Sequence, residues 1–591
     1  MKTGLLRHLG ALTIALALGV TGVVFAADPN KVLRVANFDI ETLDPQRIND
    51  DPSSQVAAAI FEGLYDWSYL GTPPHIVAVS ASALPEISDG GRTWTMRLEP
   101  GIRFTEDPAF GGKPRELVAE DIVYSMKRAL DPTLKRGGNA AVTDVVVGAR
   151  AVVETAEKAG RFDYDQVIEG LRAVDRYTVQ LRLTHPNYPV IESFVTTQAV
   201  AREVIEAANG DARTRPVGTG PYMLREWLQG SRVVLEANPY YRKIAFPTSN
   251  DARDAELVRS MQGVALPQIG VVEINVIDEE LTRVLQFDRG RLDFVVLTGV
   301  AGARAVNGGK LRKEYTERGV TRRAYPEPYV ASLFFNMKDA TVGGMELPQI
   351  ALRRAIALSI DRQAWVDVVY AGQGRAANQV VPPTVAGHIG GLPNADHDPR
   401  LANALLDKFG YDKRDGEGYR TKPDGKPLSI TVSLRIAPAT RDQQTLLKKN
   451  MDAIGIRLNF KVTMFQELLK ESAAGAFQVN TYVMGGLPSA YGVTVQFYSR
   501  SPVTVNATRF SMPRFDQAFE SYIGGGDDAA QAASVAAMNA LLKYYVPMIP
   551  LVFRTESELV QPWLKGFAPP VFNSYFKYLD IDLDAQRAAS R

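Results

Sequence analysis

Val217-Gly218-Thr219-Gly220-Pro221-Tyr222, followed by Trp227, Gly230 and Asn238-Pro239-Tyr240, is the stretch from which this chain is best read. Two glycines one residue apart give backbone freedom, and Pro221 then fixes φ at about −65° and leads the chain into an extended run. The segment reads as a turn that launches a strand, not as a ligand site. Outward from it, strand-like and helical runs alternate. Residues 32–38 are β-rich, and Thr42-Leu43-Asp44-Pro45 follows, where proline forbids a helix before it. Residues 53–65 place Val56, Ala59, Ile60, Phe61 and Leu64 at the spacing of one helix face, with Ser53 or Asp51 as cap.

Residues 93–98 alternate after Asp89-Gly90-Gly91, a hairpin signal, and 116–130 form an amphipathic helix that stops at Asp131-Pro132. Residues 177–183 and 271–277 alternate again. Residues 347–370 read as one long helical region with Ile350, Leu352, Ile356, Ile360 and Val369 on its stripe. A buried strand over 428–436 precedes a helix over 441–454, and the polar run 412–426 is a surface hairpin. This alternation predicts an α/β protein, and the absence of a short repeat argues against a solenoid or propeller.

Composition narrows the function. The chain has 591 residues and no cysteine, which removes disulfide scaffolds, thiol nucleophiles, Cys-ligated clusters and a lipoprotein anchor. Sixty-seven Lys and Arg against 66 Asp and Glu leave no basic excess for nucleic acid. A hydrophobic fraction of 46% suits a globular chain of several domains. Residues 1–26 read as a cleavable signal peptide: Lys2 and Arg7, an uncharged apolar run, then Val24-Phe25-Ala26 before Asp28-Pro29. An uncleaved anchor is the competing reading, and the Gly/Thr interruptions favour removal.

A search for chemistry finds little. Gly112-Lys113 is followed by Pro114, so no P-loop forms. Gly372-Gln373-Gly374 follows a helix where a dinucleotide site needs a strand, and reads as a helix-end turn. Asp396-His397-Asp398-Pro399 reads as a helix entry with Asp398 as cap. Asp412, Asp415 and Glu417 lack the spacing of a calcium loop. No metal, cofactor or catalytic set is expected, although carboxylates brought together by folding stay open.

Several segments, taken in order, resemble the extracellular solute-binding proteins of peptide, oligopeptide and dipeptide ABC transporters, solute-binding protein family 5. They are Thr42-Leu43-Asp44-Pro45 with Ile60-Phe61-Glu62-Gly63-Leu64, the hairpin Asp89 to Leu98, Gly218-Thr219-Gly220-Pro221-Tyr222, and Leu352-Arg353-Arg354-Ala355-Ile356 with Ile360-Asp361-Arg362. Pro547-Met548-Ile549-Pro550-Leu551 and Pro562-Trp563-Leu564-Lys565-Gly566-Phe567 complete the set. Asp361-Arg362 is expected as a surface or inter-helix ion pair.

The resemblance implies a two-lobed α/β periplasmic binding protein (type II, large peptide-binding subclass) with an extra subdomain inserted in lobe I. Lobe I would be 28–62, 174–329 and 551–591, the insert 63–173, and lobe II 330–550. Crossings would fall near 329–336 and 549–553. A small-molecule or peptide ligand would be held between closing lobes and passed by a monomer to an inner-membrane ABC permease with its ATPase, without enzymatic turnover. The implied ligand contacts are Asp39, Ile40 and Glu41 in the first loop, Met484, Gly485, Gly486 and Tyr491 in lobe II, and Phe553 and Arg554 at the second crossing. In peptide-binding members a lobe II acid pairs with the ligand's α-ammonium. Here no acid lies between Glu471 and Asp516, so a free-amino peptide would lack its counter-charge at that place. An exported enzyme, or a ligand-sensing or chaperone role on the same scaffold, stays open.

Overall fold

The computed structural model describes residues 27–589 apart from 135–139, 298–301, 303, 308–309, 394, 527 and 569–574, so the signal expected over 1–26 lies outside the described residues. Three sheets organise the chain. The first runs Asp28–Asn37, Ile269–Val276, Arg232–Ala237, Tyr222–Leu228, its first pair parallel and the others antiparallel. The second is antiparallel, in the order Glu86–Ser88, Thr93–Arg97, Thr178–Arg182, Leu171–Asp175. The third has seven strands, centred on Thr321–Phe335 and Met548–Val560, with Val479–Gly485, Ser429–Arg435 and Arg457–Thr463 beyond the first of these. Among the described residues no helix is long and apolar enough to cross a membrane.

Each sheet has its own apolar core. One gathers residues 33–61 with parts of 200–294 and 560–581, a second spans 64–217, and the largest spans 330–553. Strand Thr178–Arg182 belongs to the second sheet and core, so the boundary expected at 173 cuts a hairpin. Ladder bonds and the buried Val179 and Leu181 hold that strand to the second sheet and its core.

The turn at 217–222 works by space. Neither Gly218 nor Gly220 takes a left-handed φ. A Cβ on Gly218 would run into the Ile60 carbonyl, and one on Gly220 would stand 2.6 Å from the Ile60 carbonyl carbon. Gly220 N donates to Ile60 O at 2.8 Å, and Asn238 Nδ2 holds Gly220 O at 2.8 Å. This packing ends helix Asp51–Ile60, shorter than the expected 53–65, and its cap is Asp50, whose Oδ1 accepts from Ser53 N at 2.7 Å.

The helical region 347–370 is broken. Helix Leu347–Ser359 stops at the extended Ile360, and Asp361 Oδ1 accepts from Ala364 N to start the turn Arg362–Ala364, followed by a π turn at Trp365–Val369. The capping carboxylate competes with the helical ladder at that point. The expected Asp361–Arg362 ion pair is absent. Arg362 is buried, and its guanidinium donates to Pro550 O and Ala357 O. Asp398 caps Pro399–Lys408 as expected, through Arg400 N and Leu401 N.

Candidate functional site

The two long strands of the third sheet join the cores. Thr321–Phe335 pairs antiparallel with Met548–Val560 from Thr321↔Val560 to Pro326↔Thr555, and again from Val330↔Phe553 to Phe334↔Met548. Between these blocks residues 327–329 face Arg554 alone. Pro326 and Pro328 explain the break, because neither offers an N–H to the ladder. On one side of it, Val330 and Phe553 belong to the 330–553 core; on the other, Leu559 and Val560 pack in cores built from earlier residues. The break is thus the point where two packing units meet on one ribbon.

Glu327 and Arg554 fill the gap. Arg554 Nε lies 2.7 Å from Glu327 Oε2 and its Nη2 donates to Oε1 at 2.9 Å, a two-pronged pair. Burial outweighs the arginine and raises the Glu327 carboxyl to about 7. Two residues along, Tyr325 OH donates to Glu556 Oε2 at 3.2 Å, and burial also raises Glu556. Asp51, at the start of helix Asp51–Ile60, faces this group.

Strand Val479–Gly485 pairs with Tyr329–Phe335 and brings the glycine-rich segment to the break. Gly485 and Gly486 both have left-handed φ, 116° and 101°. A Cβ on Gly485 would run into Pro328 O, Gly486 N donates to Pro328 O at 3.0 Å, and the Tyr329 ring covers Gly486. The strand meets Ser429–Arg435 only at Val479 and Asn480. Beyond Asn480 that edge has no ladder partner among the described residues, and a pocket of about 470 Å³ lies along it, lined by Tyr482, Met484, Gly485, Leu487 and Tyr491. A hollow of about 640 Å³ is lined by residues between 101 and 176, none of them on the ribbon, where Arg115 and Arg176 are already paired with acids.

Residues packed on the 64–217 core also touch the 330–553 unit. The Tyr188 ring lies against Gly525, leaving no room for a Cβ there. Glu192, 7% exposed, faces Ser489, Tyr491 and Tyr522, and its Oε2 has no hydrogen-bond partner. Ser489 Oγ lies beside it without meeting hydrogen-bond geometry. Burial raises this carboxyl to about 7.

The expected contact residues divide into four groups. Gly485, Gly486 and Arg554 meet at the ribbon break. Met484 and Tyr491 line the pocket, Met484 being 3% exposed and Tyr491 stacked on Phe519. Ile40 is in the core of the first sheet, and Phe553 is enclosed in the largest core against His388. Asp39 Oδ1 accepts from Ile40 N and Gly230 N, while Glu41 is exposed and its N donates to Ser53 Oγ. Glu327, Tyr329, Glu556 and Glu192 were not anticipated. The local sign of the first two is Pro-Glu-Pro inside a β-rich run. Among the described residues no cluster of His, Asp or Glu could hold a metal ion.

Comparison with known proteins follows this geometry. A family model, "Bacterial extracellular solute-binding proteins, family 5 Middle", matches residues 75–504. The periplasmic oligopeptide-binding protein OppA of Escherichia coli is 23% identical over 607 residues, covering 98% of each chain. Heme-binding protein A of Haemophilus influenzae is 20% identical, over 85% of this chain and 83% of that one. The solved structure of HbpA2 from Haemophilus parasuis superposes with a TM-score of 0.71 at 18% identity, covering 93% of this chain and 99% of that one.

Proposed function

Because the chain belongs to the bacterial extracellular solute-binding proteins of family 5, we propose that it captures a solute between two lobes hinged at the ribbon break. It would act in the periplasm and pass the solute, as a monomer, to an inner-membrane ABC permease with its ATPase. The observation that carries this is the register break at 327–329. It lies between two separately packed units and faces the Gly485–Gly486 segment and a strand edge left open beside a pocket. An open edge gives an extended backbone ligand hydrogen-bond partners, and the apolar pocket takes a side chain or ring.

The lobes divide as 330–553 on one side of the break and the two earlier cores on the other, with 64–217 as the insert. Solute touching both lobes selects the closed form, by no more than its preference for that form. The carboxylates gathered on the ribbon serve charge, not turnover. The relatives named above are an oligopeptide binder and a heme binder, so the family scaffold accepts unlike solutes. Native mass spectrometry of protein purified from its own periplasm, with small-angle scattering before and after solute removal, tests the reading. A bound solute whose loss expands the molecule supports it. Chemical turnover of that solute, or unchanged uptake after deletion of the protein, would refute it.

A further inference from the structure

One face of the crossing ribbon carries Arg554, Glu556 and Glu558 at alternate positions, opposite Glu327, Tyr325 and Arg323 of its partner strand. Period-two alternation puts these side chains on one side of the sheet. Arg554 is held by Glu327 through two of its nitrogens, and neither Glu556 nor Glu558 has an ion-pair partner among the described residues. Glu558 is 2% exposed, and its Oε2 meets no hydrogen-bond donor. The groups near it are Tyr325 and Glu556 on the ribbon itself and, from two further elements, Tyr575 near the chain end and Tyr69. Asp51 faces Glu556 from the first helix, while Arg323 is exposed and turned toward Tyr69. The face therefore holds four carboxyls against two guanidiniums.

A buried carboxyl without a counter-charge is costly when ionised, and packing alone would be served better by an apolar residue. Burial holds the Glu558 carboxyl well above its usual range, and Glu556 adds to this. The glycine-rich segment of the opposite lobe supplies no acid at all between Glu471 and Asp516.

We propose that this face is the subsite for a cationic group of the captured solute, a primary ammonium or guanidinium held by Glu556 and Glu558 beside Tyr325 and Tyr575. The solute is then an amine- or guanidine-bearing molecule. This rests on the reading that solute binds between the lobes. The donors of an ammonium or guanidinium match two carboxylates, and the neighbouring tyrosine hydroxyls can accept further hydrogen bonds. Arrival of the cation ionises carboxyls that were protonated, and their protons leave to solvent. Affinity for the cation therefore rises with pH through the range where these groups titrate.

The test is titration calorimetry of the full mature protein with spermidine, arginine amide and Ala-Lys-Ala, beside their neutral counterparts octanediol, citrulline amide and Ala-norleucine-Ala. Each is run in phosphate and in Tris near neutral pH, so that protons released are counted from the buffer difference. At least one cation is expected to bind at least tenfold more tightly than its neutral counterpart, releasing about one proton. E556Q/E558Q is expected to lose at least tenfold in affinity together with the proton release. Should E558Q fail to fold, E556Q and the wild-type proton count carry the test. Equal binding of cation and neutral counterpart, no binding by any cation, or full affinity in the glutamine variants would overturn the assignment. A neutral or anionic solute found by native mass spectrometry sinks this subsite and leaves solute capture standing. No bound solute and no lobe movement would sink both.

Discussion

Glu192 provides a measurable handle on the contact between the two units. Its carboxyl is enclosed by Ser489, Tyr491 and Tyr522, 7% exposed, with one oxygen unpartnered. Burial raises it from 4.5 to about 7. Where this contact is open or the chain unfolded, the carboxyl returns to its ordinary value. A gap of that size is worth about 3 kcal/mol at 1.36 kcal/mol per unit. The sign is opposite to that of a salt-bridged acid. Protonation is favoured in the closed, folded form, so the contribution is fully present below the ordinary value near 4.5. It is lost as pH rises through about 7.

The perturbation is Glu192→Gln, which keeps the shape of the neutral carboxyl and cannot titrate. At about pH 5 the variant and wild type are expected to be within ~1 kcal/mol of each other in urea unfolding. At about pH 8 the variant is expected to be more stable by roughly 3 kcal/mol. If the lobes part before either unfolds, the same free energy appears as easier opening of the wild type at high pH, read by small-angle scattering. Glu327, Glu556 and Glu558 titrate too, but they lie on the ribbon and are common to both proteins, so the difference isolates Glu192. A stability gap that stays flat from pH 5 to 8, by both readouts, would refute the reasoning.

Three further outcomes follow from packing. Gly485→Ala combines a left-handed φ with a collision at Pro328 O and should cost about 2–3 kcal/mol by urea midpoint, with solute affinity falling as the break is displaced. Gly220→Ala has no φ penalty, only the approach to Ile60; a loss of at least ~2 kcal/mol in thermal or urea unfolding is expected, and a neutral result would show that the turn yields. Arg128→Met removes the 2.6 Å partner of the buried Asp44 and leaves it only the longer ion-pair contact to Arg47 Nε at 3.5 Å, expected to cost about 3 kcal/mol, and adding Asp44→Asn should restore part of it in a double-mutant cycle.

How far the sequence could be read depended on the range of each signal. The alternation of strand and helix was legible because its periods are local, and hairpins such as Asp89-Gly90-Gly91 and the cap at Asp398 carry their own chemistry. The helix over 347–370 was overread because its apolar stripe continues through Ile360, and Asp361 had to be weighed as a new cap against it. At 217–222 the glycines were correctly placed in a turn, but their reason, the Ile60 carbonyl, is more than 150 residues away and has no local sign. Arg554 and the two glycines could be proposed from resemblance. Glu192 could not, since it meets Ser489 only through the fold, and no pattern around residue 192 marks it.

The ribbon break and the charge beside it have one origin. Pro326 and Pro328 remove two ladder donors from the pair of strands that, among the described residues, joins the largest core to the others. Such a gap must be closed by side chains, and Glu327 with Arg554 closes it by a two-pronged ion pair. That use of Arg554 takes up the nearest cation to Glu556, while Arg323 stays at the exposed edge. The proline break is therefore also a place where negative charge is left uncompensated. Bending the ribbon changes how much water reaches Glu327 and Glu556, and so their protonation. Conversely, anything that fixes their charge biases the angle at which the two units meet. The proposed hinge and the proposed charge preference then trace to the same five residues, 326–328, 554 and 556. Restoring ladder donors at 326 and 328 should weaken both together, and exchanging Glu556 should shift the charge preference and, through the lost charge, the angle.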